Sequence, residues 1–269
     1  MMKNKFILLM FIVIMLLCTA CGKNPNNPYE EYKNRPTTDP YKIFYLTYSG
    51  TPEIHDFTKE RQKLFKELKK YDGTSEVNVK QQFKWLSANY FTISRDGGGY
   101  TYKGEMDGKR PDGIGKLLRF SDVKYVGEFD AGVFSGYGIE YNKGRLVYEG
   151  QWEDGKYNGK GNIIYYKPGN LDDRPYMIVS TTFKDGEIKG GKGVKYWFAE
   201  NDNLYLYYKG DLNESGVADG DGTIYYLGTD VPKYTGEFRN GEYHGKGTLY
   251  DENGKKIYEG EWEHGDYAS

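Results

Sequence analysis

The chain has 269 residues with 37 Lys and Arg against 39 Asp and Glu, a formal net charge of -2, and a mean hydropathy of -0.80; this balance leaves no electrostatic footprint for a nucleic acid partner. Its 28 Tyr and 36 Gly beside a hydrophobic fraction of 38% exclude both a thick Leu/Ile/Val core and intrinsic disorder. A thin, aromatic-faced β structure punctuated by glycine satisfies both constraints.

In chain order, Lys3 and Lys5 precede an apolar run from Phe6 to Leu17, with small residues before Cys21. This is the layout of a signal peptide, and the run is about a dozen residues where a bilayer-spanning helix needs roughly 20. Leu17-Cys18-Thr19-Ala20-Cys21 resembles the lipobox of bacterial lipoproteins, with Cys18 where that motif usually has Leu. The resemblance implies a signal over 1–20, lipidation of Cys21, and an exported chain held at the cell membrane by a lipid anchor facing outside the cytoplasm. An ordinary secretory signal with another cut site is the alternative, and it exports the chain too. With Cys18 leaving in the signal and Cys21 lipidated, no disulfide framework is available.

Residues 21–40 carry Pro25, Pro28, Pro36 and Pro40 among Asn and charged residues without periodicity, and read as a disordered tether. The stretch 41–99 is expected to form an N-terminal helix and cap. Thr51 is the expected N-cap and Pro52 the first helical residue; Ile54, Phe57, Leu64, Phe65 and Leu68 recur at helical spacing, and Gly73 is the stop. The apolar face of this helix is expected to close the open end of a β array, with partner binding as the alternative. The alternation Val77, Val79, Phe83, Trp85 reads as a degenerate repeat over 77–95 or as a short helix.

From 100 to 267 the chain repeats itself. YVGEFDAGVFSGYGIEY from Tyr125, YEGQWEDGKYNGKGNIIY from Tyr148 and YTGEFRNGEYHGKGTLY from Tyr234 share the frame Tyr-x-Gly-x-aromatic, then Gly-x-x-x-Gly-x-Gly. The frame places Gly127 and Phe129 in the first copy, Gly150, Trp152, Gly159 and Gly161 in the second, and Gly236, Phe238, Gly245 and Gly247 in the third. Weaker copies begin at Tyr102 with Gly104 and at Tyr208 with Gly210; Phe183, Gly186 and Gly193 mark another that lacks its leading Tyr-x-Gly. Tyr258, Gly260 and Trp262 open a half copy, making about six copies and a half. These residues resemble the MORN (membrane occupation and recognition nexus) repeat family, which implies an elongated single-layer antiparallel ribbon of stacked hairpins and a role in membrane-associated scaffolding.

Within a copy the period is two, so Tyr148, Gly150 and Trp152 share one strand face, and Glu153 to Asn158 carry turn chemistry. A lone hairpin is marginal in water, so consecutive hairpins must stack. The glycines are then expected to be vacancies filled by aromatic rings, with Trp152 opposite Gly159.

The sequence holds no constellation for catalysis. His55, His244 and His264 lack metal-ligand spacing and a nucleophile beside them. Asp211-Leu212-Asn213-Glu214-Ser215-Gly216 with Asp219 and Asp221 is similar to the start of a calcium loop, but Gly222 stands where the bidentate Glu belongs. No cofactor is implied. The expected function is non-enzymatic: an interaction or scaffold module at the cell envelope, with an envelope protein or the membrane lipid surface as partner. The alternative is a cell-wall glycan bound through exposed aromatics.

Overall fold

The computed structural model describes residues 54–74, 77–78, 100–120, 122–166, 175–198 and 204–268. The signal segment, Cys21, the tether and residues 79–95 of the expected degenerate repeat lie outside these. Chain order gives helix α1 (Thr58–Leu68) with a 3-10 turn (Lys69–Tyr71), then β1 (Val77–Asn78), β2 (Tyr100–Asp107), β3 (Arg110–Arg119), β4 (Asp122–Asp130) and β5 (Val133–Asn142). There follow β6 (Arg145–Glu153), β7 (Lys156–Tyr166), β8 (Pro175–Lys184), β9 (Glu187–Ile188), β10 (Gly191–Phe198) and β11 (Leu204–Leu212). The chain continues through β12 (Ala218–Tyr225), β13 (Pro232–Arg239), β14 (Glu242–Tyr250), β15 (Lys256–Glu263) and β16 (Asp266–Tyr267). Among the described residues, all sixteen strands form one antiparallel sheet in sequence order, with β9 branching from β8. The fold is therefore the expected mostly β stack of hairpins, each element touching its neighbours in sequence.

The register explains the repeat. Glycine faces glycine across strand after strand: Gly104 with Gly115, Gly115 with Gly127, Gly127 with Gly138, Gly138 with Gly150, and Gly150 with Gly161. The row is broken at Thr181, which faces Gly161, and resumes from Gly193 through Gly210, Gly222, Gly236 and Gly247 to Gly260. On one face, here called the first, the motif tyrosine folds back over this row. A Cβ at Gly161 would lie 2.6 Å from Tyr148 Cζ, and a Cβ at Gly247 would lie 2.6 Å from Tyr234 Cε2. Neither glycine needs a left-handed backbone, so the requirement at both is space.

This corrects one expectation. Trp152 does not lie opposite Gly159; it pairs with Tyr157 inside its hairpin and with Gly136 of the strand before. The register shifts between Gly150 and Trp152, and the same bulge follows Gly127 and Gly236. Gly159 takes φ +85°, and its vacancy is filled by the Gln151 carboxamide. That side chain accepts the Lys160 N–H at 2.8 Å; Glu128 does the same for Tyr137 at 3.3 Å and Glu237 for Lys246 at 3.0 Å. The residue after Tyr-x-Gly thus satisfies a backbone donor that the bulge removes from the ladder.

The rings then pack in a repeating order. Tyr125 stacks on Phe134, Tyr148 on Tyr157 and Tyr234 on Tyr243, with centroids 3.7, 3.7 and 3.8 Å apart. Phe129, Trp152 and Phe238 meet them edge-on at 5.1 to 5.3 Å and bridge to the motif tyrosine of the preceding copy. Two clusters result, one from Tyr102 to Ile188 and one from Val179 to Trp262.

The second face carries the other cross-strand row: Val126, Ile139, Glu149, Asn162, Ser180, Val194, Lys209, Thr223, Thr235 and Thr248. Its first six members are buried, because α1 and the chain leading into it, with Ile54 packed against Val194, lie on them. The helix starts at Thr58, later than Thr51-Pro52 suggests, because Ile54 to Phe57 run over the sheet in irregular backbone held there through His55. Asp56 Oδ1 accepts the Thr58 N–H at 2.9 Å and Gly73 follows at φ +83°. Nor does the helix close an end of the array: it covers a face, holding β6, β7 and β8 through Arg61 and His55. The physical reason is that β4, β5, β7 and β8 carry apolar side chains on this face too, with Val126, Ile139, Ile164 and Ile178 needing cover. Val77 pairs with Tyr102, which adds β1 to the sheet ahead of the first copy.

Candidate functional site

The motif tyrosines are the first candidates for a ligand site, and their geometry assigns them elsewhere. Tyr102, Tyr125, Tyr148 and Tyr234 are fully buried. Each hydroxyl donates to the carbonyl three residues on: Tyr102 to Glu105 (2.8 Å), Tyr125 to Glu128 (3.0 Å), Tyr148 to Gln151 (2.9 Å), Tyr208 to Asp211 (2.6 Å), Tyr234 to Glu237 (3.0 Å) and Tyr258 to Glu261 (3.2 Å). These carbonyls sit at the bulge, so the phenol ties down the irregular residue that the ladder leaves. Burial pushes the Tyr125 hydroxyl well above the ordinary range and raises Tyr234 to about 12. Phe129, Trp152, Phe238 and Trp262 are buried as well.

A family model for the MORN repeat matches residues 125–144, 148–167 and 234–256. These three stretches are MORN repeats. No curated protein matches the chain. The hairpins opening at Tyr102, Tyr208 and Tyr258 carry the same tyrosine-to-carbonyl bond and glycine pairing as the three matched MORN copies. MORN repeats are generally non-catalytic modules associated with protein and membrane interactions. What a partner meets on this chain is therefore the surface outside the motif.

One buried polar node lies on the second face. Arg61 grips Glu149 with three hydrogen bonds, Nε to Oε1 at 2.9 Å and Nη2 to Oε1 and Oε2 at 2.7 and 2.8 Å. Tyr137 donates its hydroxyl to the same carboxylate. Glu149 is 0% exposed and Arg61 5%. Burial pushes the Glu149 carboxyl upward, while Arg61 and Tyr137 pull it back. The bidentate geometry fits a positional lock that sets where α1 sits. Beside it, the His55 N–H donates to Ser180 Oγ at 2.9 Å and Asn162 Nδ2 donates to the His55 carbonyl at 3.0 Å. The imidazole Nε2 lies 3.1 Å from the Thr181 carbonyl, and burial with Lys160 nearby keeps its pKa below the usual histidine range.

The open surface of the described residues includes a groove and an aromatic strip. Beyond His55, the second face continues as a groove of about 870 Å³ over β10 to β13, floored by Gly193, Gly210, Gly222 and Gly236 and walled by Lys192, Val194, Lys209, Asp221, Thr223 and Thr235. The other surface is aromatic: Tyr165, Tyr176, Trp197 and Tyr207 are half-buried and follow one another at centroid distances of 6.4, 5.6 and 5.7 Å.

The calcium-loop stretch does not assemble as such. Asp211 Oδ2 binds Lys192 Nζ at 2.7 Å and the Asp221 N–H at 3.1 Å; Asn213 Oδ1 accepts from Ser215 and Val217, both at 3.0 Å; Asp219 Oδ2 accepts from Asn240 at 3.3 Å. Among the described residues no group of three or more His, Cys, Asp or Glu is arranged to hold a metal ion. Asp211 occupies the clamp position of Gln151 in its copy, which accounts for its carboxylate. His264 Nδ1 lies 3.1 Å from Glu242 Oε2, and the His244 and His264 rings are 6.3 Å apart at the outer hairpin. No helix among the described residues is long and apolar enough to cross a membrane.

Sequence reasoning missed Arg61 and Glu149, though the signal was present. Phe57, Arg61, Leu64, Phe65 and Leu68 form one helical stripe, and an arginine in an apolar stripe calls for a buried acid.

Proposed function

We propose that this protein is a lipid-anchored, exported interaction module that works as a scaffold at the cell envelope. The observation that carries the reading is that the motif side chains are buried in the sheet. That leaves an array whose accessible chemistry includes a groove and a half-exposed aromatic strip. Cys21, after the apolar run from Phe6 to Leu17, supplies the attachment, and 21–40 the tether that holds the array off the bilayer. The preferred partner is an envelope protein, since a surface with charges as balanced as these has little to attract an anionic lipid.

Lipid attachment is tested by growing cells with an alkyne fatty acid. Label on the wild-type chain and its loss in Cys21→Ser is the expected result; an unlabelled wild-type chain removes the anchor from the reading. Partner binding is tested by crosslinking in those cells with Tyr176→Ala/Trp197→Ala as the control, which is expected to lose the crosslinked species.

A second reading rests on the same aromatic strip. Tyr176, Trp197 and Tyr207 present ring surface of the kind on which sugar rings stack. Retention of the protein on peptidoglycan, abolished by Trp197→Ala, would favour a cell-wall glycan over a protein partner.

A further inference from the structure

On the first face, the residue that faces the motif tyrosine from the neighbouring strand is apolar in most copies. Leu117 faces Tyr102 and Tyr125, Ile163 faces Tyr148, Ile224 faces Tyr208 and Tyr234, and Leu249 faces Tyr234 and Tyr258. Glu140 departs from this, and Tyr157 donates a hydrogen bond to its carboxyl group. Lys195 departs from it too, facing Val179 on β8 and Tyr208 on β11, both buried. Its ammonium lies 5.8 Å from the centre of the Tyr208 ring, and among the described residues it makes no hydrogen bond or ion pair. Burial holds its pKa below the usual lysine range, and no carboxylate offsets that. The ring face compensates only part of the lost hydration, so a half-buried cation here lowers stability. Leu or Ile serves the packing at this place, and the fold gives Lys195 no reason to be charged.

The reason lies beside it. Trp197, two residues along β10 and on the same face, is the middle of the aromatic strip, with the Tyr176 and Tyr207 rings 5.6 and 5.7 Å away. We propose, building on the glycan reading of this strip, that Lys195 and Trp197 form a site for an acidic sugar, whose ring lies on the indole while its carboxylate meets the Lys195 ammonium. A lone ammonium is a point charge without the fork of an arginine, and it balances one carboxylate but not the near-double charge of a phosphate monoester. An acidic peptide fits less well. β8, β10 and β11 are interior strands whose N–H and C=O groups are engaged in ladders on both sides, so a peptide laid across the strip finds no edge on which to pair its own backbone. A sugar needs no such edge: its C–H face packs on the ring, and its hydroxyls stay with water or meet the tyrosine hydroxyls.

Calorimetric titration of the full chain in a mild detergent tests this. The probes are a tetrasaccharide of alternating N-acetylglucosamine and N-acetylmuramic acid with free lactyl carboxylates, trigalacturonate, and the methyl ester of each. At least one acid should bind about tenfold tighter than its own ester, the scale of one charge-assisted hydrogen bond. Lys195→Met should bring that acid down to the affinity of its ester and leave the ester unchanged. Lys195→Arg should keep most of the preference, and Trp197→Ala should abolish binding of both forms. The melting temperature of Lys195→Met is expected at or above that of the wild-type chain, since methionine fills the place without a charge to desolvate. Preference for the muramic acid tetrasaccharide names the cell wall as the source and preference for trigalacturonate a uronate polymer; either supports the site. Equal binding of acid and ester, or a preference that survives Lys195→Met, overturns the proposal and leaves the glycan reading in place. Binding of none of the probes overturns both.

Discussion

Gly161→Ala isolates the space requirement that defines the repeat. The three atoms nearest a Cβ at Gly161 all belong to Tyr148, and the backbone there is not left-handed, so a methyl group meets that ring first. Overpacking of this kind costs about 1–3 kcal/mol, and expelling the buried ring altogether would cost about 3–5 kcal/mol. A loss of about 3 kcal/mol is expected in urea unfolding followed by tryptophan fluorescence. Lys160→Ala, one residue away and exposed, should stay within about 0.5 kcal/mol of wild type. The decisive variant is the double mutant. Once Tyr148→Ala has emptied the site, alanine at 161 no longer clashes and is better than glycine in a strand by roughly 0.5–1 kcal/mol. The cycle should therefore show a coupling of about 3–4 kcal/mol. Additivity to within about 0.5 kcal/mol would refute the account. Gly159→Val, the substitution that the repeat frame alone suggests, is a weaker test, because φ +85° at Gly159 penalises any side chain.

Glu140 stands where other copies have Leu117, Ile163 or Leu249, and burial raises its pKa from 4.5 to about 7 despite the hydrogen bond from Tyr157. Between those values the folded state keeps a proton that the unfolded chain has lost, so stability falls as pH rises through the window and is lowest above it. Glu140→Leu should thus gain about 2–3 kcal/mol at pH 8 and much less at pH 4, read from urea midpoints. Arg61→Ala leaves the Glu149 carboxylate buried and unpaired and should cost about 3–5 kcal/mol; adding Glu149→Leu should recover most of it, as far-UV dichroism and melting will register. Gln151→Ala strips the acceptor from the Lys160 amide, an expected loss of about 1–2 kcal/mol in the same urea assay that Gln151→Glu should spare.

The hairpin stack was legible because its frame recurs: glycines at fixed places between variable residues read as positions reserved for something. Which ring fills them was not, since a single bulged residue after Tyr-x-Gly shifts the register and hands the vacancy from Trp152 to Tyr148. The helix was visible in its stripe, but its seat on the sheet depends on contacts from Arg61 and His55 to Glu149, Asn162 and Ser180, some 90 to 125 residues along the chain. A residue-level pattern carries no such pairing. One clue was present in the strands. Val126, Ile139 and Ile164 break the in–out alternation of β4, β5 and β7, whereas Lys209, Thr223 and Thr235 keep it in β11 to β13. The alternating part is where the face is open.

The Arg61 lock has a consequence for how such a chain can change length. Copies that differ only in their exposed residues are interchangeable, so a whole unit can be duplicated or lost by an in-frame event with both neighbouring seams preserved. That freedom holds from β11 onward. Between β3 and β8 it does not, because one guanidinium must find one carboxylate three hairpins along, and adding a unit there would carry the address away from its reader. The lock thus gives the two halves of the array different tolerance to an added unit: the N-terminal half is a fixed gauge, and the C-terminal half is an extensible one.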